Sequence, residues 1–230
     1  RLFPLTKITS KQLLPIYNKP MIYFPLETLV NSGIKDILII TTEHDLDNFK
    51  SLLGNGDQWG IKLEYQTQKN PEGIAQALLI GEKWINNMPV VLILGDNLFF
   101  GPKFNDDLIS AIKNNVGATI FCKRVIDPER FGIVNFDKDF NILSIEEKPK
   151  KPKSEYAVTG LYIYDKKSSS YAKTLKKSNR GEFEITDLNN IYFYKGKLKS
   201  KILKDDQSWL DTGTFDTLLE ASNFVKNNNI

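Results

Sequence analysis

The sequence has almost none of the residues that form disulfides or bind zinc. Its 230 residues include one cysteine, Cys122, and one histidine, His44. No internal disulfide can form, and a zinc site needs more histidine or cysteine ligands than this chain has. Any metal ion must therefore be held by oxygen. Because Cys122 ends the apolar run 118–122, we interpret it as a buried thiol of a protein in the reducing cytoplasm.

Long apolar runs and a strong charge of one sign are also missing. No stretch approaches the roughly 20 apolar residues of a membrane span, and no signal segment opens the chain. The net charge is +3, which suits small anionic substrates but is far from the dense basic face of a nucleic-acid binder. We expect a cytoplasmic protein that binds neither membrane nor nucleic acid.

Apolar runs alternate with amphipathic segments in the first part of the chain. This alternation predicts an α/β fold, a Rossmann-like three-layer sandwich with a mostly parallel central sheet. The predicted strands cover residues 36–41, 62–68, 90–95 and 118–125, and the predicted helices cover about 20–30, 44–53, 74–85 and 104–115.

From Gly132 onward the pattern becomes strand-rich, with helical stretches only at about 168–177 and 185–195. We interpret this part as an inserted β-rich layer. The length favours a single domain over residues 1–230.

Polar residues directly follow three apolar runs, namely Gln68, Asp96 and Asp211. Ligand crevices of parallel sheets lie beyond the carboxyl ends of the strands. Two carboxylates at one crevice are typical ligands of Mg²⁺, with water and phosphate oxygens completing its shell. Each aspartate taken alone could equally cap a helix or form a turn.

Two lysines are placed like phosphate ligands. Lys11 has apolar neighbours that would hold it near a crevice, and Lys148 follows a strand end before Pro149. Cations such as Arg130 and Arg180 are, taken alone, more often solvated surface residues.

Eight segments, in family order over nearly the whole chain, resemble the sugar-1-phosphate thymidylyltransferases. They are RLFPLTKITSKQLLPIYNKPMIYFPLETL (1–29), QTQKNPEGIAQAL (66–78), LGDN (94–97), DPERFGIV (127–134), EEKP (146–149), YAVTGLYIYD (156–165), RGEFEITD (180–187) and WLDTGT (209–214). The pair Lys11-Gln12 resembles the thymidylyl form of its motif, because the related uridylyltransferases commonly carry glutamate after that lysine. The family opens with a strand and a glycine-rich loop that binds the triphosphate. Only the terminal Arg1 of that loop stands in this sequence, so we expect an element before it to be missing.

The resemblance implies a role for each matching residue. Catalysis would involve Arg1, Lys11, Asp96, Lys148 and Asp211, with Asp96 and Asp211 as ligands of Mg²⁺. The nucleobase would be bound by Gln12, Gln68 and Gly73. The hexose would be bound by Gly132, Glu147, Val158 and Tyr162, with Thr186 and Trp209 closing the pocket. Residues 1–125 would then be the nucleotide-binding half and residues 126–230 the sugar-phosphate-binding half.

The resemblance also implies an activity and partners. The enzyme would transfer a nucleotidyl group from dTTP to α-D-glucose 1-phosphate, giving dTDP-glucose and pyrophosphate, the first step of a dTDP-rhamnose type of deoxysugar synthesis. A homo-oligomer is expected, since family members form tetramers. The alternatives are a uridylyltransferase of the same family and a nucleotide-sugar-binding module without turnover. A glycosyltransferase ranks last, because 96–98 is not an Asp-x-Asp motif.

Overall fold

The structure, a computed structural model, describes residues 2–230. The chain alternates helices and strands, which confirms the α/β class. The strands are β1 (Pro15–Ile16), β2 (Lys19–Pro20), β3 (Asp36–Thr41), β4 (Lys62–Thr67), β5 (Val90–Ile93), β6 (Asn97–Phe100), β7 (Ala118–Arg124), β8 (Gly132–Phe136), β9 (Ile142–Glu147), β10 (Tyr156–Tyr164), β11 (Leu198–Ile202) and β12 (Ser208–Asp211). The helices are α1 (Tyr23–Asn31), α2 (Leu46–Leu53), α3 (Gln76–Ile80), α4 (Glu82–Ile85), α5 (Phe104–Lys113), α6 (Ser168–Ala172), α7 (Ile185–Tyr194) and α8 (Phe215–Asn227). Among residues 2–230, none of the helices has the length and apolar character needed to cross a membrane.

The chain divides into two compact units, each built from separate stretches of sequence. Unit 1 comprises 1–65, 93–109 and 205–230, and unit 2 comprises 66–92 and 110–204. The single-domain organisation and its two halves stay a prediction.

Unit 2 is built on a six-stranded sheet. Its order is β11-β7-β10-β8-β9, with β5 pairing with β10. The sheet is mixed. β11 pairs with β7 in parallel, whereas β10 pairs antiparallel with both β7 and β8, and β8 pairs antiparallel with β9. Eight of the nine residues of β10 are buried, as expected for a central strand. Exposed lysines alternate with half-buried residues along the edge strand β11, and such charges protect a sheet edge against pairing with other chains.

Unit 1 contains the strand pairs β1–β2, β3–β4 and β6–β12. Its apolar cluster joins Met21, Phe24 and Leu98 to Ala221 and Val225 of α8. The last helix was not predicted from the sequence. Its start is fixed because Thr214 and Thr217 each accept a hydrogen bond from the other's backbone N–H group, which is a capping box.

Candidate active site

Lys11 and Asp96 form an ion pair within unit 1. Lys11 opens the 3₁₀ turn Lys11–Leu13, and Asp96 lies between β5 and β6. The Lys11 ammonium contacts Oδ2 of Asp96, and the side chains are 30% and 13% exposed. The structure thus brings together the predicted phosphate ligand and the predicted metal ligand, which are separated by 85 residues in sequence.

Asp96 and Asp211 lie at the same end of the β6–β12 pair. Asn97, the residue after Asp96, is the register partner of Asp211. The N–H and hydroxyl groups of Thr212 both donate to the backbone carbonyl of Asp96. In residues 2–230 no group of three or more histidine, cysteine, aspartate or glutamate side chains could hold a metal ion. Two carboxylates suit a hard cation that takes its other ligands from phosphate and water, so the donor set fits Mg²⁺.

Asn97 links Asp96 to Trp209. It accepts a hydrogen bond from the Trp209 indole N–H group at 2.6 Å and donates its amide to Oδ1 of Asp96 at 3.1 Å. Asn97 is only 2% exposed, so these bonds are made away from solvent and are costly to lose. Sequence reasoning missed Asn97, because its burial and its two partners are set by the fold.

Gln12 lies against Gly95. A Cβ atom on Gly95 would come within 2.9 Å of Gln12 Cγ, so a side chain at position 95 would displace the glutamine. The Ser10 hydroxyl donates to Gln12 Oε1 at 2.8 Å. Gln12 is therefore held in one orientation next to the segment that carries Asp96.

Gln68 and Gly73 belong to unit 2. Gln68 donates its amide to Gln76 Oε1 at 2.5 Å. Gly73 has a φ of +99°, and a Cβ atom there would come within 2.5 Å of the Phe183 carbonyl oxygen. Close approach of the Phe183 backbone is thus a sufficient reason for glycine at position 73, independent of any nucleobase.

Four of the predicted hexose ligands form one cluster in unit 2. Gly132 and Glu147 are register partners on β8 and β9, and the Thr186 hydroxyl donates to Glu147 Oε2 at 2.6 Å. A Cβ atom on Gly132 would lie 3.0 Å from Thr186 Oγ1 and 3.9 Å from Val158 Cβ. Because Gly132 has no side chain, a small space remains beside the polar side chains of Thr186 and Glu147.

Arg180 is a member of this cluster that sequence reasoning passed over as a surface cation. Its guanidinium donates to Glu147 Oε1 at 3.1 Å and to Glu184 Oε2 at 2.7 Å. The hydrogen bond with Glu184 raises the pKa of Arg180. Burial, with Glu184 and Glu147 nearby, raises the pKa of the Asp187 carboxyl group. The motif 180–187 was the signal that could have found Arg180.

Lys148 and Tyr162 complete the predicted set in unit 2. Lys148 has a φ of +42°, its N–H group donates to the Phe131 carbonyl at 3.0 Å, and its ammonium lies 3.6 Å from Glu147 Oε1. This backbone conformation, uncommon outside glycine, directs the chain after β9. Tyr162 is 3% exposed and stacks on Tyr164, so it belongs to the core of the sheet.

The structure thus gathers ten of the predicted residues in two groups. Lys11, Gln12, Asp96, Trp209 and Asp211 lie together in unit 1. The residues Gly132, Glu147, Lys148, Val158 and Thr186 lie together in unit 2. Arg1 falls outside the described residues.

Comparison with known proteins identifies the family of the chain. The sequence model of the nucleotidyl transferase family matches residues 1–228. A glucose-1-phosphate thymidylyltransferase of Neisseria gonorrhoeae is 54% identical over 226 residues, which are 98% of this chain and 78% of the relative. One from Mycolicibacterium smegmatis is 51% identical over the same shares of the two chains.

Solved structures show the same fold. A crystal structure of a Bacillus anthracis protein assigned to the glucose-1-phosphate thymidylyltransferases superposes with a TM-score of 0.91 at 42% identity, covering 98% of this chain and 90% of that one. A UDP-glucose pyrophosphorylase in complex with UDP-glucose has a TM-score of 0.86 at 24% identity, covering 99% and 94%, and supports the Rossmann-like fold alone. The chain therefore belongs to the nucleotidyl transferase family, and within it to the group of the glucose-1-phosphate thymidylyltransferases.

Proposed function

We propose that the chain transfers the thymidylyl group of dTTP to α-D-glucose 1-phosphate, giving dTDP-glucose and pyrophosphate. The observation that carries this proposal is the Lys11–Asp96 ion pair beside Asp211. A cation and two carboxylates at one strand end suit the triphosphate of a nucleotide and its metal ion. The names of relatives about 50% identical over nearly the whole chain supply the two substrates.

The reaction needs no general base. The second pKa of a phosphate monoester is about 6, so glucose 1-phosphate is largely a dianion at neutral pH. One of its oxygens attacks the α-phosphorus of dTTP in line, the new P–O bond forms as the bond to the β-phosphate breaks, and pyrophosphate leaves with the electron pair. The protein therefore has to position two anions and reduce their repulsion.

In this proposal Lys11 neutralises charge around the α-phosphate, and Lys148 binds the phosphate of the sugar. Asp96 and Asp211 would hold Mg²⁺. The ion neutralises phosphate charge when bound. Because Lys11 already pairs with Asp96, binding of the nucleotide exchanges that contact for contacts with phosphate.

The remaining roles are those that the family resemblance implies for each residue. Gln12 and Gln68 bind the imide edge of thymine, because a glutamine amide offers both a donor and an acceptor. Glu147, with Gly132, Val158 and Tyr162, binds the hexose, with Thr186 and Trp209 closing its pocket. Glu147 is well suited to accept from sugar hydroxyls, since Thr186 and Arg180 fix its two oxygens.

The test is pyrophosphate release from dTTP in the presence of glucose 1-phosphate, with the sugar nucleotide identified by mass. Release that requires the sugar phosphate, with dTDP-glucose as product, supports the proposal. Tight binding of dTDP-glucose without turnover would instead identify a nucleotide-sugar-binding module. Faster reaction with UTP than with dTTP would identify a uridylyltransferase.

A homo-oligomeric state and a place at the start of dTDP-rhamnose-type synthesis belong to the same proposal. So does a cytoplasmic location, which the single buried Cys122 favours. Gel filtration with light scattering tests the oligomeric state directly.

A further inference from the structure

Asp45 is a buried carboxylate that has no role in the proposed chemistry. It is 5% exposed and stands at the position before α2. Aspartate at this position normally accepts a hydrogen bond from a backbone N–H group in the first turn of the helix, which is worth about 1 kcal/mol. Within residues 2–230 the Asp45 side chain makes no such bond to α2.

Both carboxylate oxygens of Asp45 instead bind residues outside the helix. Oδ1 accepts from the Ser10 backbone N–H group at 2.9 Å, and Oδ2 accepts from the Thr42 hydroxyl at 2.9 Å. The Thr42 hydroxyl in turn accepts from the Asp45 N–H group at 3.2 Å. Thr42 therefore orients the carboxylate, and the carboxylate ties Ser10 to the start of α2.

Ser10 is the residue on which the turn with Lys11 and Gln12 begins. Its carbonyl accepts from Leu13 N–H at 3.0 Å, and its hydroxyl donates to Gln12 Oε1 at 2.8 Å. With Oε1 held in this way, the orientation of the Gln12 amide is fixed, so its NH₂ group can donate to a ligand carbonyl while Oε1 keeps a second lone pair.

We propose that Asp45 is a positioning residue for the nucleotide, acting through Ser10 to fix the donor end of Gln12 and the backbone that carries Lys11. This inference rests on the proposed function, since it deepens the nucleobase role of Gln12. A charge-assisted bond that a backbone N–H group donates to a buried carboxylate is among the stronger hydrogen bonds in proteins. The bond orders the turn before a ligand arrives. Ligand binding then does not have to order the turn, so its entropic cost is smaller.

The test compares Asp45→Ala with Asp45→Asn. Loss of a hydrogen bond from a charged group corresponds to about tenfold or more in affinity, so we expect Asp45→Ala to raise KM for dTTP about tenfold. KM for glucose 1-phosphate should change less than about twofold, because the variant weakens the binding of dTTP only, equally in the ground state and the transition state. Asp45→Asn keeps an oxygen for the Ser10 N–H group and should restore most of the dTTP affinity. Asp47→Ala, an exposed aspartate of the same helix, is the matched control and should leave both values unchanged.

Two further measurements keep the inference testable if Asp45→Ala folds poorly. Ser10→Ala removes only the hydroxyl that holds Gln12 and should raise KM for dTTP by about threefold to tenfold, the usual range for one hydrogen bond. Hydrogen exchange of residues 8–14 reports the turn without any assay, and Asp45→Asn should exchange there more slowly than Asp45→Ala. Equal rises in both KM values, or unchanged dTTP affinity in folded Asp45→Ala, would overturn the inference.

Failure of the proposed function gives a different pattern. If Gln12→Ala and Lys11→Ala leave dTTP binding unchanged, the nucleotide roles of both residues are wrong. If those variants lose dTTP affinity while Asp45→Ala and Ser10→Ala do not, only the positioning role of Asp45 is wrong.

Discussion

Thr212 donates two hydrogen bonds to the backbone carbonyl of Asp96, one from its N–H group at 3.2 Å and one from its hydroxyl at 2.9 Å. Thr212 is fully buried, so both bonds are protected from competition by water. They extend the β6–β12 pairing by one step beyond Asp211. Two aspartates that are 115 positions apart in the chain are thereby fixed at one strand end.

We predict that Asp96→Asn and Asp211→Asn each lower kcat by about a hundredfold or more, since each removes one charge from a site that stabilises transferring phosphate. Neither change alters apolar packing, so the unfolding midpoint should stay close to that of the parent. Steady-state rates at limiting and saturating Mg²⁺ are the measurement. A near-normal rate at limiting Mg²⁺ in either variant would remove that residue from the ligand set.

Lys148→Ala should weaken binding of the sugar phosphate more than binding of the nucleotide. An ammonium–phosphate hydrogen bond is worth about 1.5–3 kcal/mol, which corresponds to at least tenfold in KM for glucose 1-phosphate. The neighbouring Lys150→Ala, in the exposed connection after β9, is the matched control. An effect confined to dTTP would assign Lys148 to the other anion.

Gly73→Ala should destabilise the protein through a backbone clash. The new Cβ atom would lie 2.5 Å from the Phe183 carbonyl oxygen, at a φ of +99°. Gly181→Ala is the matched control, since its φ is +76° but, beyond its chain neighbours, no atom of residues 2–230 lies within 4 Å of its added Cβ. The control should cost about 1–2 kcal/mol from backbone strain alone. Gly73→Ala should cost clearly more in denaturant unfolding, and equal losses would contradict the clash.

Much of the fold could be predicted because apolar periodicity is local information. The strand 36–41 was predicted with the bounds that the structure gives it. The helix predicted over 74–85 is instead two short helices, α3 and α4, separated at Gly81, because glycine is a poor helix former. α8 was missed because its buried face is narrow, although Thr214 and Thr217 form its capping box. The pairing of β6 with β12 joins segments about 110 residues apart and leaves no local signal.

The candidate site was likewise predicted only in part from the sequence. Motifs with an expected chemistry, such as Lys11, Asp96 and Glu147, were found because the residue type itself indicates the role. Residues that act by holding others were not found, and Asn97, Arg180 and Asp45 are examples. Their roles depend on distances set by the fold, so a buried amide or carboxylate in the sequence cannot by itself show what it orients.

We propose that the enzyme binds the imide edge of thymine and buries its methyl group. Uracil has the same imide edge and lacks one methyl group, which is worth about 1 kcal/mol if buried, so UTP should be poorer by about fivefold to tenfold. Cytosine replaces one carbonyl with an amine and leaves polar groups unpaired, which costs far more. The direct measurement is kcat/KM for dTTP, UTP, CTP and GTP with glucose 1-phosphate as acceptor. We predict the order dTTP, UTP, then CTP, with CTP nearly inactive; CTP or GTP used as well as dTTP would contradict thymidylyl transfer.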